Sequence, residues 1–363
     1  MTRRKPLTLL LALLAVFALV AAACGSDDDG DDTGSDDTSE TTAADDDAET
    51  SETTAAEDDD EAAGSGETFR IAVVAPSASN DLAFTQSMVD ALDAVAETRD
   101  IEVDITDGVF VVEDAAAALR GYAEDDYDLI IAHGSQYGAP LEEIAADFPD
   151  VAFTWGTSID TFDLPNVSAY TTRSDEGGYV MGVMAGAITE SGVIGVVGPI
   201  EVGDAALYVS GFENGVAAQS ADVTVNTNWI ESFSDVALAA EAATAHVGAG
   251  ADILTGTAQM VTGATGVASE EGVLWFGTQA NQTSLGEDNV VASQVYHWEV
   301  ILEDIIADIE AGTLGGNTYT LNLENGGLII EYNDGYTLDP AVQTLAEETI
   351  EGIIDGSITT GVS

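Results

Sequence analysis

Short apolar runs alternate with amphipathic stretches in the first half of the chain beyond residue 68. The runs are rich in Val and Ile and four to seven residues long, which is typical of buried strands, whereas the stretches between them repeat apolar residues at helical spacing. The pattern predicts strands at 69–75, 101–106, 127–133 and 151–155, and helices at 82–99, 112–124 and 141–148. This order predicts a parallel sheet covered by helices.

The same alternation begins again after a break at Pro165. Here it predicts strands at 193–197, 223–229, 252–255 and 273–277, and helices at 204–220, 236–247 and 261–270. The fold class expected from the whole pattern is therefore α/β, with two similar Rossmann-like lobes.

The first 66 residues have a different character. Three basic residues at 3–5 precede an apolar run at 7–23, and small residues lead into Cys24, the only cysteine of the chain. This pattern predicts a signal peptide at 1–23 with lipidation of Cys24, and an uncleaved membrane anchor is the alternative. The stretch 27–61 holds 18 acidic residues and almost nothing apolar larger than Ala, so residues 24–66 are expected to be an acidic disordered tether.

The net charge of the chain restricts the ligands and macromolecules that it can bind. The chain has 7 Lys and Arg against 67 Asp and Glu, a formal net charge of −60, which repels nucleic acid. No Lys or Arg occurs between 174 and 363, so an anionic ligand would find only Arg173 and helix N-termini nearby. A neutral ligand is expected. Arg173 itself either pairs with a carboxylate where the chain passes between the two lobes or reaches a cleft between them.

Ligands of parallel α/β sheets bind beyond the carboxyl ends of the strands. Aromatic and uncharged polar residues dominate those positions here, which favours a flat, uncharged molecule held by stacking and by hydrogen bonds at its rim. The candidate residues after the predicted strands are Asp81, Phe84, His133, Tyr137, Trp155, Trp229, Phe233, Gln259 and Gln279.

Three stretches of the sequence carry a specific pattern. Residues 167–215 contain SAYTTRSDEGGYVMGVMAGAITESGVIGVVGPIEV followed by GFENGV, residues 80–86 read NDLAFTQ, and residues 232–235 read SFSD. With these stretches the sequence resembles, over residues 69 to 355, the basic membrane protein family of substrate-binding lipoproteins, and NDLAFTQ and SFSD resemble the two aromatic loops of that family. The resemblance implies the type I periplasmic binding protein fold, with a three-segment hinge and a purine nucleoside or nucleobase as ligand. It also implies that Phe84 and Phe233 sandwich the base and that Asp81 supports the first loop.

Two positions depart from the family pattern. Thr85 stands where the family has Asn, and Tyr296 stands where nucleoside binders have a lysine that helps to hold ribose. In having Trp155, Trp229 and Trp298, the chain resembles the members of the family that take a free nucleobase. We therefore expect the base to bind at least as well as the nucleoside.

The resulting hypothesis is a lipid-anchored, extracytoplasmic, monomeric receptor that delivers its ligand to an ABC permease and ATPase, with no cofactor, metal or catalysis. The expected lobes are 67–172 plus 294–318 and 173–293 plus 319–363, with crossing segments near 170–174, 293–296 and 317–321. Alternatives are a sugar or signalling-molecule receptor of the same fold, a sensory lipoprotein that acts on a membrane kinase, and a nucleoside hydrolase.

Some residues have a simpler structural interpretation. His133 and His297 are more often hydrogen-bonded structural residues than ligands, and Asp175 and Glu176 are expected to cap a helix. The glycines at 177, 178, 182 and 186 are expected to allow a helix to pack closely against the sheet.

Overall fold

The computed structural model of the protein describes residues 68–362. Within this range the chain alternates strands and helices, numbered here in chain order. The strands are β1 Phe69–Val74, β2 Ile101–Thr106, β3 Leu129–His133, β4 Ala152–Gly156, β5 Val167–Thr172, β6 Val193–Gly198, β7 Thr224–Trp229, β8 Ile253–Gly256, β9 Leu274–Gln279, β10 Val290–Tyr296, β11 Thr318–Leu321 and β12 Leu328–Tyr332. The helices are α1 Phe84–Ala96, α2 Val112–Glu124, α3 Gly138–Asp147, α4 Ser174–Ile188, α5 Gly203–Gln219, α6 Val236–Gly248, α7 Val261–Glu271, α8 Glu299–Glu310 and α9 Pro340–Ile354.

The strands form two six-stranded sheets, one in each lobe. The first sheet has the order β11-β5-β4-β3-β1-β2 and all of its pairs are parallel. The second has the order β12-β10-β9-β8-β6-β7 and is parallel except for the antiparallel pair β10–β12. The expected α/β class with two lobes is confirmed.

The start of α1 shows how local chemistry sets an element boundary. The apolar pattern predicts a helix from residue 82, but Leu82 has a φ of +55° and the helix begins at Phe84. The Asp81 carboxylate accepts hydrogen bonds from the backbone N–H groups of Ala83, Thr85 and Gln86 at 2.8, 3.2 and 3.1 Å. Because the Asp81 side chain satisfies the first free backbone amides, the chain before Phe84 does not need to be helical. The helix therefore begins later than the apolar pattern predicts.

The chain crosses between the lobes three times. The first crossing follows β5 at Thr172, since β5 lies in the first sheet and α4 packs on α5 and α9 in the second lobe. Strand β10 stays in the second sheet through Tyr296, and β11 stays in the first sheet through Leu321. Both segments near which crossings are expected, 293–296 and 317–321, are themselves paired strands, and the chain crosses just after each of them.

Helices α4 and α5 pack with their backbones in contact. A Cβ on Gly178 or Gly182 of α4 would collide with the carbonyl oxygens of Tyr208 and Phe212, and Gly211 and Gly215 of α5 are equally close to α4. The expectation of helix-on-sheet packing was wrong for Gly178, Gly182 and Gly186, which face α5. It holds for Gly177, whose Cβ would meet the side chain of Gln294 in β10.

Both sheets are buried between helices. The central strands β1 and β3 are almost fully buried, as are β6, β8 and β9 of the second lobe. Among residues 68–362, none of the helices combines the length and apolar character that spanning a membrane requires. The predicted signal peptide at 1–23, the lipidated Cys24 and the acidic tether at 24–66 lie outside the described residues.

Candidate ligand-binding cleft

A cleft partly open to solvent lies between the two lobes and contains about 490 Å³ of empty space, which includes some open solvent. Its walls come from the loops at the carboxyl ends of β1 to β4 in the first lobe and of β6 to β9 in the second. Because both sheets direct these ends towards each other, the site lies where parallel α/β sheets usually bind their ligands.

Three phenylalanines give the cleft its aromatic character. Phe84 is the first residue of α1, Phe110 follows β2, and Phe233 follows β7 in the opposite lobe. Phe110 is 47% exposed, whereas Phe84 is only 8% exposed. The Phe233 loop is held by its carbonyl oxygen, which accepts the backbone N–H of Met260 at 3.0 Å. Rings from both lobes are thus available to a flat ligand.

The Phe84 ring is supported from behind by His133. The two rings are stacked with centroids 3.9 Å apart, and His133 is fully buried. Its Nε2 lies 3.0 Å from the carbonyl oxygen of Phe84, and its Nδ1 lies 2.5 Å from the Tyr170 hydroxyl. Burial lowers the pKa of His133 to about 4, so the imidazole is neutral near pH 7. His133 therefore supports the cleft wall without lining it.

Several other predicted ligand residues also lie outside the cleft lining. Tyr137 is fully buried and donates to the carbonyl of Val109, next to Phe110, at 2.5 Å. Trp298 is fully buried and donates to the Ser87 hydroxyl at 2.9 Å. Thr85 is buried and bonds the hydroxyl of Ser77 at 2.7 Å.

The two strand-end tryptophans cover glycines. The ring of Trp155 lies against Gly138, and its Nε1 donates to the carbonyl of Gly134 at 3.1 Å. The ring of Trp229 lies against Gly198 at the end of β6. Neither tryptophan is among the residues that line the cleft. Asp81, through the amides described above, organises the loop that carries Phe84.

The polar groups of the cleft come from six side chains. Gln259 and Gln279 were predicted from their positions after β8 and at the end of β9, and both line the cleft. Ser135, Gln136, Thr157 and Asp204 also line it and were not predicted. The same strand-end rule covers all four, since Ser135 and Gln136 follow β3, Thr157 follows β4 and Asp204 follows β6, but the sequence pattern predicts Asp204 only as the start of a helix.

Asp204 has the most unusual environment in the cleft. The Thr157 hydroxyl donates to its Oδ1 across the lobes at 3.4 Å, whereas its Oδ2 is buried without a hydrogen-bond partner. Loss of hydration raises the pKa of Asp204, although backbone amides at the start of α5 and the side chain of Gln279 act against the rise.

Within residues 68–362 all arginines are engaged away from the cleft. Their acidic partners are Glu102 for Arg70, Glu303 and Glu310 for Arg99, Asp147 for Arg120, and Asp175 and Glu176 for Arg173. Arg173 binds both carboxylate oxygens of Asp175 at 2.9 Å, so it pairs at the hinge rather than reaching the cleft. None of these guanidinium groups lines the cleft, which disfavours an anionic ligand.

Asp175 and His297 lie at two of the crossings. The Asp175 carboxylate accepts the Thr360 hydroxyl at 2.6 Å as well as Arg173, so it forms an ion pair instead of the expected helix cap. His297 lies 2.6 Å from Glu299 and 3.7 Å from Glu331, and these carboxylates raise its pKa to about 9. His297 is a structural ion-pair residue between β10 and α8.

The architecture is that of a two-lobed solute-binding protein. Residues 68–359 match the family described as ABC transporter substrate-binding protein PnrA-like, and the chain belongs to that family. The resemblance noted in the sequence is thereby confirmed.

Two relatives are named for different ligands. A purine-binding protein from Brucella abortus is 28% identical over 273 residues, covering 75% of each chain. A putative ABC transporter glucose-binding protein from Haloferax volcanii is 28% identical over 262 residues, covering 72% of this chain and 66% of the relative.

A solved structure of similar fold is the ABC transporter solute-binding protein from Conexibacter woesei. It matches with a TM-score of 0.67 at 22% identity, covering 80% of this chain and 98% of that one. The likeness supports the type I periplasmic binding protein fold.

Proposed function

We propose that the protein is the extracytoplasmic receptor of an ABC importer and binds a neutral purine nucleobase or nucleoside between its lobes. The observation that carries the proposal is the cleft itself, which presents phenylalanines from both lobes and no cationic side chain. The name of the Brucella relative, a purine-binding protein, supports the same ligand class.

Phe84 and Phe233 are the proposed stacking partners of the base. They stand on opposite lobes, and His133 covers the rear face of the Phe84 ring, which leaves the other face for a ligand. Stacking on aromatic side chains tolerates different bases because each base has a π face, so these rings supply affinity more than selectivity.

Hinge bending is the proposed mechanism of capture. Two hydrogen bonds already join the lobes beside the cleft, from Thr157 to Asp204 at 3.4 Å and from the Gln282 side chain to the carbonyl of Leu82 at 3.1 Å. A ligand that contacts both lobes shifts the population towards the closed form, because only that form makes both sets of contacts.

The closed form is proposed to deliver the ligand to a membrane permease and its ATPase, while lipid on Cys24 holds the monomer at the outer face of the membrane. Changing Cys24 to Ser tests the anchor. The variant is expected in the soluble extracellular or periplasmic fraction, and its retention in the membrane would contradict lipidation.

Calorimetric titration of the purified domain tests the ligand class. Adenine, guanine, hypoxanthine and their nucleosides are compared with glucose and ribose at one pH and salt concentration. We expect saturable binding for at least one purine and none for the sugars. Sugar binding without purine binding would overturn the proposal.

A sugar receptor is the second candidate, favoured by the Haloferax relative named as glucose-binding. The same titrations decide between the two. A nucleoside hydrolase is tested separately, by incubating the protein with nucleosides and separating the products by chromatography. We expect no free base or ribose to accumulate.

A further inference from the structure

Three side-chain atoms that line the cleft are buried without hydrogen-bond partners. They are the acceptor atoms Asp204 Oδ2 and Gln279 Oε1 in the second lobe and the donor atom Gln136 Nε2 in the first lobe. A buried polar atom without a partner is costly, so such atoms are rare in folded proteins. Three of them around one cleft indicate groups held ready for a ligand.

The two acceptors belong to neighbouring side chains on firm supports. Asp204 is in the first turn of α5, where the free backbone amides favour a negative charge. Gln279 ends β9 with a φ of +71°, a conformation that residues other than glycine rarely adopt. It is only 3% exposed and close enough to Asp204 to influence that carboxyl group.

Backbone strain at functional sites is maintained by the surrounding structure because it places a group where it is needed. Ala258, which lines the same cleft beside Gln259, also has a positive φ, of +75°. The second-lobe wall thus holds its polar groups in a fixed arrangement.

We propose that Asp204 and Gln279 select a purine whose ring edge carries two neighbouring N–H donors, a ring N–H beside an exocyclic amino group, as in guanine. Gln136 donates from the opposite lobe to an acceptor atom of the same ring system. This inference rests on the proposed function and specifies which purine the cleft takes.

The chemistry of the purines separates the candidates. An ionised carboxylate oxygen and an amide oxygen can each accept one of two neighbouring N–H donors, and neither oxygen can donate. Guanine presents such a pair on one edge, whereas hypoxanthine presents the ring N–H alone. Adenine places a ring acceptor beside its amino group, and that acceptor would face the carboxylate oxygen without a proton between them.

Gln136 adds a condition from the first lobe. Its side-chain nitrogen can only donate, so the ligand must offer an acceptor on the side away from Asp204. Guanine has acceptors at its carbonyl oxygen and at the imidazole nitrogen of that side. Guanine can therefore place its donor edge against the acceptors of the second lobe and its acceptor edge against the Gln136 donor of the first lobe.

Calorimetric titration with matched ligand pairs tests the inference. Guanine and hypoxanthine differ only by the 2-amino group, as do guanosine and inosine. The wild-type protein is expected to bind the 2-amino member roughly 10- to 100-fold more tightly, the range for a hydrogen bond to a charged group. Asp204→Asn should reduce this preference to within a few fold.

The control is Glu201→Gln. Glu201 is exposed, lies in the loop before α5 and does not line the cleft, so the variant makes the same change in net charge. Its ligand preference should match the wild type. Without ligand, Asp204→Asn should unfold at the same or a higher temperature than the wild type, because it removes a buried, incompletely partnered carboxylate. A purely structural role for Asp204 would instead lower the unfolding temperature.

A second variant keeps the test decisive if Asp204→Asn does not fold. Gln279→Met removes the Oε1 acceptor at similar length and should also weaken the preference for the 2-amino ligand. Equal affinity of the wild type for both members of each pair, or an unchanged preference in both variants, would overturn the inference and leave purine binding intact. If no purine binds the wild type, the proposed function fails as well.

Discussion

The ring of Phe84 lies almost parallel to the imidazole of His133, with an angle of 8° between the planes and 3.9 Å between the centroids. His133 is fixed in turn by Tyr170 and by the carbonyl oxygen of Phe84 itself. The cleft wall therefore exists before any ligand arrives. A preorganised ring costs little ordering when it binds, so more of its contact energy appears as affinity.

Removing one stacking ring should weaken ligand binding without unfolding the protein. We expect Phe84→Leu and Phe233→Leu each to lower the affinity for a purine by roughly 5- to 100-fold, since base–aromatic stacking contributes about 1–3 kcal/mol. Calorimetric titration of each variant measures the loss.

Phe148→Leu is the matched control for this prediction. Phe148 follows α3, contacts the guanidinium of Arg120 and does not line the cleft. Its affinity should equal that of the wild type. Wild-type affinity in both cleft variants would show that the rings do not hold the ligand.

His133 should make the stability of the protein depend on pH in a defined window. Its pKa is lowered by burial to about 4 from an ordinary value of 6.5, so the unfolded chain takes up a proton between these values and the folded protein does not. The free energy of unfolding should therefore fall as the pH falls from about 6.5 to about 4, by up to about 1.4 kcal/mol per pH unit.

Urea unfolding of the wild type and of His133→Gln at several pH values between 4.5 and 7.5 isolates this effect, because the carboxylates titrate in both proteins. The stability advantage of the wild type should shrink towards acid. His297→Gln is the control: the pKa of His297 is raised to about 9, so its contribution is constant below pH 6.5 and declines as the pH rises from 6.5 through 9, opposite to the trend for His133. Parallel curves for wild type and His133→Gln would contradict the prediction.

The hydrophobic pattern predicted eight of the twelve strands in residues 68–362, β1 to β4 and β6 to β9, but not β5, β10, β11 and β12. The runs at 69–75 and 252–255 are buried on both faces of a sheet, and this burial makes them continuous in the sequence. The pattern carries no information on which sheet a strand joins. Strand β11 therefore appeared as a crossing segment, although it pairs with β5 along its whole length.

The strand-end rule identified the loops that line the cleft, but it did not give the direction of the side chains. Phe84 and Gln279 face the cleft, whereas His133 ends a strand and turns into the lobe. Adjacent side chains of a strand point to opposite faces, so a shift of one residue decides between core and cleft. Asp204 was missed because, in so acidic a chain, one carboxylate does not stand out until its burial is known.

The contact between α4 and α5 should tolerate no side chain at its centre. Gly182→Ala would place a Cβ against the carbonyl oxygen of Phe212, and the helices must separate to accommodate it. We expect a loss of about 1–3 kcal/mol in the free energy of unfolding, as for other overpacked cores, measured by urea denaturation.

Gly266→Ala provides the comparison, because Gly266 lies in α7 with nothing within 4 Å of its Cβ position. Alanine is the better helix former, so this variant should be more stable by about 1 kcal/mol. Equal effects of the two substitutions would show that helix propensity, rather than the α4–α5 contact, determines the result.

The residue at position 296 bears on whether the protein recognises the base or the ribose of a purine nucleoside. Tyr296 stands where the nucleoside binders that this chain resembles have a lysine, and it is a buried phenol outside the cleft lining, without a hydrogen-bond partner and without positive charge. Its ring packs edge-on against Trp298 at 5.2 Å, so the side chain is fixed in place. With no cation to bind sugar hydroxyls, ribose should add little affinity.

We therefore expect a free base to bind at least as tightly as its nucleoside, measured by titration of adenine against adenosine and guanine against guanosine. Tyr296→Phe keeps the ring and removes only the unpartnered hydroxyl, so it should leave the base-to-nucleoside ratio unchanged and the protein as stable or more so. Tyr296→Lys should shift the ratio towards the nucleoside if it folds. A wild-type protein that binds nucleosides but not bases would contradict this prediction while leaving the stacking rings in place, because the missing affinity would then come from ribose contacts made elsewhere in the cleft.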